Sequence, residues 1–180
     1  MQRFEIRLSG SGGQGLITGG IILAEAAAVY DDINAIQSQS YGPEQRGGAS
    51  KSDVVISNGE IDYPKVTRPD VLLAMTQESC DKYAPGLKPG GLLILDSTYV
   101  SKVPTLDARV VEFPISQAAR EAGREIVANI VALGVVAGLT GIVTREALEK
   151  AVLDRVPRGT EELNRRALAR GYELAESVQG

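Results

Sequence analysis

An anion-binding site is indicated near the start of the chain by a glycine-rich segment, Gly10-Ser11-Gly12-Gly13-Gln14-Gly15. Gly10, Gly12 and Gly15 have G-x-G-x-x-G spacing, and the segment follows an apolar strand pattern and opens an alanine-rich helix. Glycines let the backbone turn sharply and approach a ligand, and amides at a helix N-terminus favour negative charge. The segment therefore predicts a phosphate or pyrophosphate site. A glycine-rich turn that binds no ligand is the alternative.

A second polar segment, residues 38–48, follows the next strand pattern along the chain. Ligands of open α/β sheets bind at the carboxyl edge, so this loop is expected beside the glycine-rich segment. Arg46, next to Gly47, has a planar guanidinium suited to a phosphate or carboxylate. The alternative is a surface loop in which Arg46 pairs with Glu44, worth under about 1 kcal/mol if exposed.

Recognition of an intact dinucleotide requires a further acidic residue at the end of the second strand. Asp31 and Asp32 have a suitable distance from the glycines, but they precede the strand pattern at 34–37. Gln37-Ser38-Gln39 ends that strand instead. The sequence therefore disfavours an NAD site.

Other polar residues at strand ends are explained by local structure. Asp96-Ser97-Thr98 is typical of an Asx-turn, and Thr76 is suited to cap the helix that starts near Gln77. Cys80 lies inside that helix with no histidine to activate it. We predict no catalytic residue and no metal site in this chain.

The elements that position these segments alternate between strand and helix. Strand patterns lie at 4–8, 34–37, 54–56, 71–75, 92–95 and 109–113. Helical patterns lie at 16–30, 77–84, 116–122, 126–138, 145–155 and from about Thr160, which is expected to cap the last helix. The order predicts one α/β domain over residues 1–180. Its core is a three-layer, Rossmann-like, mostly parallel sheet with helices on both faces and a helical C-terminal third.

Composition limits the chemistry further. Among 180 residues there are 19 basic and 23 acidic side chains, a net charge of −4 that gives no reason to expect nucleic acid or an anionic membrane as partner. The absence of histidine excludes Ser-His-Asp and Cys-His sites, and a single cysteine excludes a Cys₄ iron–sulfur site.

An uncharged run at 126–143, with Gly134-x-x-x-Gly138, is interpreted as a buried core helix rather than a membrane span, with a subunit contact as the alternative. The single thiol and a polar N-terminus favour the cytoplasm.

The two loops in this order resemble the gamma subunit of 2-oxoacid:ferredoxin oxidoreductases. The resemblance extends to about Val152 and includes the segments Ser40-Tyr41-Gly42-Pro43-Glu44-Gln45-Arg46-Gly47-Gly48, Ile61-Asp62-Tyr63-Pro64, Arg68-Pro69-Asp70-Val71-Leu72, Gly90-Gly91-Leu92-Leu93-Ile94-Leu95-Asp96-Ser97 and Asn129-Ile130-Val131-Ala132-Leu133-Gly134. It is strongest to the separate gamma chain of the 2-oxoglutarate-type enzyme. Pyruvate, 2-oxoisovalerate and indolepyruvate enzymes share the same domain.

The resemblance implies a reaction that converts a 2-oxoacid, coenzyme A (CoA) and oxidised ferredoxin to acyl-CoA, carbon dioxide and reduced ferredoxin. Thiamine diphosphate and iron–sulfur clusters would be held by alpha, beta and, if separate, delta subunits. Gly10 to Gly15 and Arg46 would receive CoA phosphates, while Ser40, Tyr41, Glu44 and Gly47 would shape the loop or contact another subunit. Two other interpretations stay open: a purely structural assembly module, and a free-standing NAD(P)-binding protein.

Overall fold

A six-stranded sheet forms the centre of the computed structural model, which describes residues 2–39 and 48–179. The strands are β1 (Arg3–Ser11), β2 (Asn34–Gln39), β3 (Ala49–Ser57), β4 (Val71–Ala74), β5 (Gly91–Asp96) and β6 (Ala108–Phe113), arranged in the order β2-β3-β1-β4-β5-β6. β1 pairs in parallel with β4, β4 with β5, and β5 with β6. The α/β class and the mostly parallel sheet are confirmed.

One strand departs from the expected alternation. β3 is antiparallel to both β1 and β2, so it separates two strands that point in the same direction. Its long pairing with β1 places Ser50 opposite Gly10 and Ala49 opposite Ser11. The start of β3 therefore lies beside the end of β1, at the carboxyl edge of the sheet.

In the described part of the chain, six α-helices pack around the sheet: α1 (Leu16–Glu25), α2 (Gln77–Tyr83), α3 (Ile115–Ala122), α4 (Ala128–Thr140), α5 (Arg145–Arg155) and α6 (Glu161–Ser177). The predicted helix at 16–30 continues beyond α1 as a π-helical segment, Ala26–Tyr30. Thr76 caps α2 as expected, because its side chain accepts a hydrogen bond from the Ser79 N–H. At α6 the expectation is wrong in detail: Thr160 occupies the cap position, but its hydroxyl donates to the Pro157 carbonyl instead.

The helices are divided unequally between the two faces. α1 and α3 to α6 share one large apolar core with the sheet, including Ile6, Leu73 and Ile94. The opposite face is covered mainly by α2, whose Cys80 and Tyr83 pack in a smaller core. β4 is buried along its whole length, as its all-apolar sequence predicted for a strand covered on both faces.

The uncharged run at 126–143 forms core structure. A 3₁₀ turn, Glu125–Val127, leads into α4, which ends at Gly141 in the left-handed conformation (φ 65°). Gly134 and Gly138 face α6 within the same chain, so the small-residue spacing serves internal packing. In the part of the chain that the structure describes, no helix has the length and apolarity needed to cross a membrane.

Candidate functional site at the carboxyl edge of the sheet

The candidate site lies where β1, β4, β5 and β6 end. β1 ends at Ser11, the glycine-rich segment follows as a 3₁₀ turn (Gly12–Gln14), and α1 then begins. The predicted strand–turn–helix arrangement is therefore present. Gly15, between the turn and α1, adopts φ 73°, a left-handed conformation that favours glycine.

The glycine loop, residues 10–15, is held in shape by two carboxamide side chains. The Gln14 Oε1 atom accepts a hydrogen bond from the Ser11 N–H at 2.9 Å. The Asn129 Nδ2 atom donates to the Gly15 carbonyl at 3.0 Å from the first turn of α4. Asn129 therefore positions the loop. Sequence reasoning did not assign it this role, and the only local signal was a polar residue inside an apolar run.

The glycines of the loop have different structural roles. A Cβ atom on Gly10 would meet Gln14 and would lie 2.7 Å from Leu16 Cδ1, so this glycine permits close packing. A Cβ atom on Gly15 would lie 2.7 Å from Asn129 Nδ2. Around Gly13, by contrast, no atom lies within 4 Å of a Cβ position. The loop is therefore packed at both ends and open at Gly13.

The helix that follows the loop has features that suit an anion. The Gly19 N–H bonds to the Gly15 carbonyl, so the N–H groups of residues 16–18 precede the first i→i−4 bond of α1. No acidic residue occupies that first turn. The partial positive charge of the helix N-terminus is therefore not neutralised by a carboxylate in the first turn of α1.

A cavity of about 240 Å³ adjoins the open side of the loop and is lined by Gly13, Gln14, Ser116, Glu125, Ile126 and Ala128. Its carboxylate is already partnered: Tyr99 and Arg120 each donate to Glu125 at 2.6 Å. These hydrogen bonds, from Tyr99 first and Arg120 second, hold the pKa of Glu125 below its usual range. Glu125 therefore remains an anion near the loop, offset by the Arg120 guanidinium.

The second predicted loop lies largely outside the described residues. Ser40, Tyr41, Glu44, Arg46 and Gly47 all fall in 40–47. Its described neighbours are Gln39, which is paired with Ser52, and Ala49, which is paired with Ser11. Both ends of the segment are thus anchored at the same edge as the glycine loop.

The polar groups at the ends of β4 and β5 have structural roles, as expected. The Asp96 carboxylate accepts from the Thr98 N–H at 3.1 Å, which is the predicted Asx-turn. It also accepts from the Ser116 hydroxyl at 2.6 Å and from the Ser116 N–H. Asp96 thereby ties the start of α3 to β5, a long-range contact that sequence reasoning did not identify.

The arrangement required for a dinucleotide is absent from the described strands. β2 is separated from β1 by β3 and ends at Gln39 rather than at an acid. Asp31 is used elsewhere, because its carboxylate accepts from the N–H and hydroxyl of Thr144, both at 2.8 Å. No group of three or more metal-ligating side chains occurs among residues 2–39 and 48–179.

Cys80 is fully buried against the α2 face of the sheet. Burial, and secondarily the charge of Asp81, raises the pKa of its thiol. We therefore expect native protein at pH 8 to resist 5,5′-dithiobis(2-nitrobenzoate), and urea-unfolded protein to react at least about 100-fold faster, since reaction requires opening of the fold. Rapid labelling of fully folded protein would contradict this placement.

Comparison with known proteins gives a consistent result. The sequence matches the pyruvate ferredoxin/flavodoxin oxidoreductase family over residues 5–174. It is 52% identical to the 2-oxoglutarate synthase subunit KorC of Methanocaldococcus jannaschii, over 98% of this chain and 96% of that protein.

Two solved structures share the fold. The keto/oxoacid ferredoxin oxidoreductase gamma subunit of Geobacter sulfurreducens is 56% identical, with a TM-score of 0.92 and 98% of each chain covered. A 2-oxoglutarate:ferredoxin oxidoreductase of Magnetococcus marinus, solved with 2-oxoglutarate, CoA and succinyl-CoA bound, has a TM-score of 0.87 at 24% identity, over 98% of this chain and 32% of that one. The resemblance noted from the sequence is confirmed. The chain belongs to the pyruvate ferredoxin/flavodoxin oxidoreductase family, as a gamma-type subunit of a 2-oxoacid:ferredoxin oxidoreductase.

Proposed function

We propose that this chain, acting as one gamma-type domain over residues 1–180, serves a cytoplasmic enzyme that uses 2-oxoglutarate. The enzyme forms succinyl-CoA and carbon dioxide from 2-oxoglutarate and CoA while it reduces ferredoxin. The choice of 2-oxoglutarate rests on the 52% identity to a 2-oxoglutarate synthase subunit along nearly all of both chains. Pyruvate, 2-oxoisovalerate and indolepyruvate are the alternative substrates.

In this proposal the glycine loop and Arg46 receive the phosphates of CoA. The supporting observation is that the loop is packed at Gly10 and Gly15 but open at Gly13, directly before the N-terminus of α1. Backbone N–H groups and a helix N-terminus together bind phosphate without a dedicated cationic side chain. Arg46 would add a charge-assisted, bidentate contact. Ser40, Tyr41, Glu44 and Gly47 would shape the second loop or contact another subunit.

The reacting centre is assigned to partner chains. Thiamine diphosphate held by partner chains would supply the nucleophilic carbon for the 2-oxoacid, and iron–sulfur clusters held there would supply the electron path to ferredoxin. This chain has one cysteine, which is buried, and no histidine, so its side chains do not fit cluster ligation. Its own contribution is to bind and orient the co-substrate and to complete the assembly with the alpha, beta and any separate delta subunit.

One observation favours the second candidate, a purely structural module. Gln14 already satisfies the Ser11 N–H, so part of the loop's hydrogen-bonding capacity is used internally. If the loop binds no ligand, changes at its open face will leave CoA kinetics unaltered. Substitutions in residues 40–47 will then affect subunit association alone.

The test uses the reconstituted complex and compares Gly13→Leu with Gly86→Leu, a glycine that also has no atom within 4 Å of its Cβ position. We expect Gly13→Leu to raise the KM for CoA at least about tenfold because the side chain blocks the approach to the loop. Arg46→Ala should raise the KM for CoA about tenfold or more, because a charge-assisted, bidentate contact is lost. The KM for 2-oxoglutarate should be unchanged in both loop variants. The control variant Gly86→Leu should keep the wild-type KM for CoA. An unaltered KM for CoA in both loop variants, with normal assembly, would contradict the proposal.

A further inference from the structure

A second cavity lies behind the glycine loop, on the helical face of the sheet. Its volume is about 260 Å³, and it is formed by α1, the start of α4, the turn between α5 and α6, and the first turn of α6. The walls are largely apolar, with Ile22, Val127, Ile130, Val156 and Leu163 among the lining residues. Such a depression is large enough to hold one apolar side chain of a partner.

Asn164 contributes a polar acceptor to the wall of this cavity. Asn164, which is only 4% exposed, donates through Nδ2 to the carbonyl and the hydroxyl of Thr160, at 3.0 and 3.1 Å. Among the described residues, no N–H or O–H group donates to its Oδ1 atom. Across the described ranges, the one fully buried side-chain oxygen without a hydrogen-bond partner is that of the Tyr172 hydroxyl, so Asn164 Oδ1 is reached by solvent. A backbone N–H group of a partner can replace water at this oxygen.

Two arginines, Arg124 and Arg155, line the cavity, and Arg155 is paired with Glu25. Further arginines lie close by. Arg158 follows the lining residue Pro157, and Arg166 donates to the Ala122 carbonyl, two residues before Arg124. None of Arg124, Arg158 and Arg166 has a carboxylate of a described residue within 4.0 Å, although the chain as a whole carries a net charge of −4. An acidic group is the complementary partner.

An exposed apolar residue stands at the same place. Ile126 lines the cavity and is 72% exposed, more than any other large hydrophobic residue described. Ile126 lies next to an apolar cavity and to Arg124, which has no carboxylate of a described residue within 4.0 Å. This is the composition of an interface anchor enclosed by polar contacts.

We propose that this cavity, lined by Ile126, Arg124 and Asn164, is the docking site for an acidic peptide segment of a partner subunit. A leucine, isoleucine or phenylalanine of that segment fills the cavity. A backbone N–H of the segment donates to Asn164 Oδ1, and a neighbouring aspartate or glutamate pairs with Arg124. The inference rests on the chain being a subunit of the proposed oxidoreductase, but it does not depend on CoA binding at the glycine loop.

A peptide segment accounts for all three features together. A free phosphate would use the arginines but would leave the apolar walls uncovered, and an uncharged apolar molecule would leave Arg124 unpaired. Only a chain segment supplies an apolar side chain, an N–H donor and a carboxylate at adjacent positions.

The test measures binding of the chain to the remaining subunits by titration, with wild type, Ile126→Asp and Arg124→Glu. Both side chains are exposed, so neither change should alter the circular dichroism spectrum or the Tm. We expect each variant to weaken association about tenfold or more, with the Arg124→Glu effect diminishing at high salt. The matched controls are Val29→Asp, at a residue 66% exposed, and Arg109→Glu, at the opposite end of the sheet, and both should bind normally.

Normal association of both cavity variants would overturn the docking assignment. A second outcome would also overturn it: an Arg124→Glu enzyme that assembles normally but has a raised KM for CoA. That result would assign the arginines to binding a phosphate of CoA. Failure of the CoA proposal would be recognised separately. In that case Gly13→Leu would leave the KM for CoA unchanged, while the cavity variants would still bind the remaining subunits more weakly.

Discussion

Replacing Gly171 with alanine is expected to lower the free energy of unfolding by about 2 kcal/mol. Gly171 lies on α6, where a Cβ atom would meet the Val131 carbonyl oxygen and lie 2.9 Å from the Gly134 Cα atom. Both obstacles are backbone, so no side-chain rotation relieves the clash and the two helices must separate. Overpacking of this kind costs about 3 kcal/mol, and alanine returns about 1 kcal/mol through its better helix propensity.

Chemical and thermal unfolding measure this effect. For a chain of 180 residues, a loss of 2 kcal/mol corresponds to a decrease in Tm of roughly 4–8 °C. Gly19→Ala is the matched control: Gly19 is a buried helical glycine on α1, but the nearest atoms to its Cβ position are Leu8 Cδ1 at 3.7 Å and Leu133 Cδ2 at 3.8 Å. We expect that variant to be at least as stable as wild type. Equal stability of Gly171→Ala would show that α4 and α6 are not in backbone contact.

The same pair of helices illustrates what the sequence could establish. Gly134 and Gly138, four residues apart, indicated that some helix approaches α4 closely. The identity of that helix could not be predicted, because the opposing Gly171 and Ala175 lie far along the chain and spacing within one helix does not identify its neighbour. The docking cavity was missed for the same reason, since its walls come from four separate segments.

The direction of β3 was not predicted, although the sequence contained a signal. An alternation of apolar residues is the same for a strand in either direction, so the pattern at 54–56 was compatible with both. However, residues 40–48 separate β2 from β3, and a parallel crossover requires a dozen or more residues. The length of this connection therefore favoured an antiparallel pair.

At the candidate site, the positions of the glycines were predictable but their separate roles were not. Strand, turn and helix patterns located the loop correctly, because these depend on local sequence. The distinction between packed Gly10 and open Gly13 depends on Leu16, Met75 and the neighbouring side chains in three dimensions. Asn129 lies 114 residues from Gly15, so only the fold shows that it holds the loop.

The second large effect is expected at a buried ion pair on the face covered by α2. Arg7 on β1 and Asp53 on β3 lie directly opposite each other and are joined by two hydrogen bonds, Nε–Oδ1 at 2.9 Å and Nη2–Oδ2 at 3.2 Å. Both residues are more than nine-tenths buried. Among the described residues, Asp53→Leu leaves the buried Arg7 guanidinium with the Val66 carbonyl and the Tyr83 ring as partners, and it removes the carboxylate that lies 3.8 Å from Lys51 Nζ. We expect a loss of about 3–5 kcal/mol in the free energy of unfolding.

The double variant Arg7→Met with Asp53→Leu distinguishes loss of a favourable pair from the penalty of an unpaired charge. Apolar replacement of both partners is often neutral, so the double variant should recover most of the stability in urea unfolding. β1–β3 pairing also places Gly10 opposite Ser50 and anchors one end of the segment that contains Arg46. A recovered double variant should therefore keep the wild-type KM for CoA in the assembled enzyme. If the double variant is as unstable as Asp53→Leu, the pair contributes specific stabilisation to this sheet that apolar packing cannot replace.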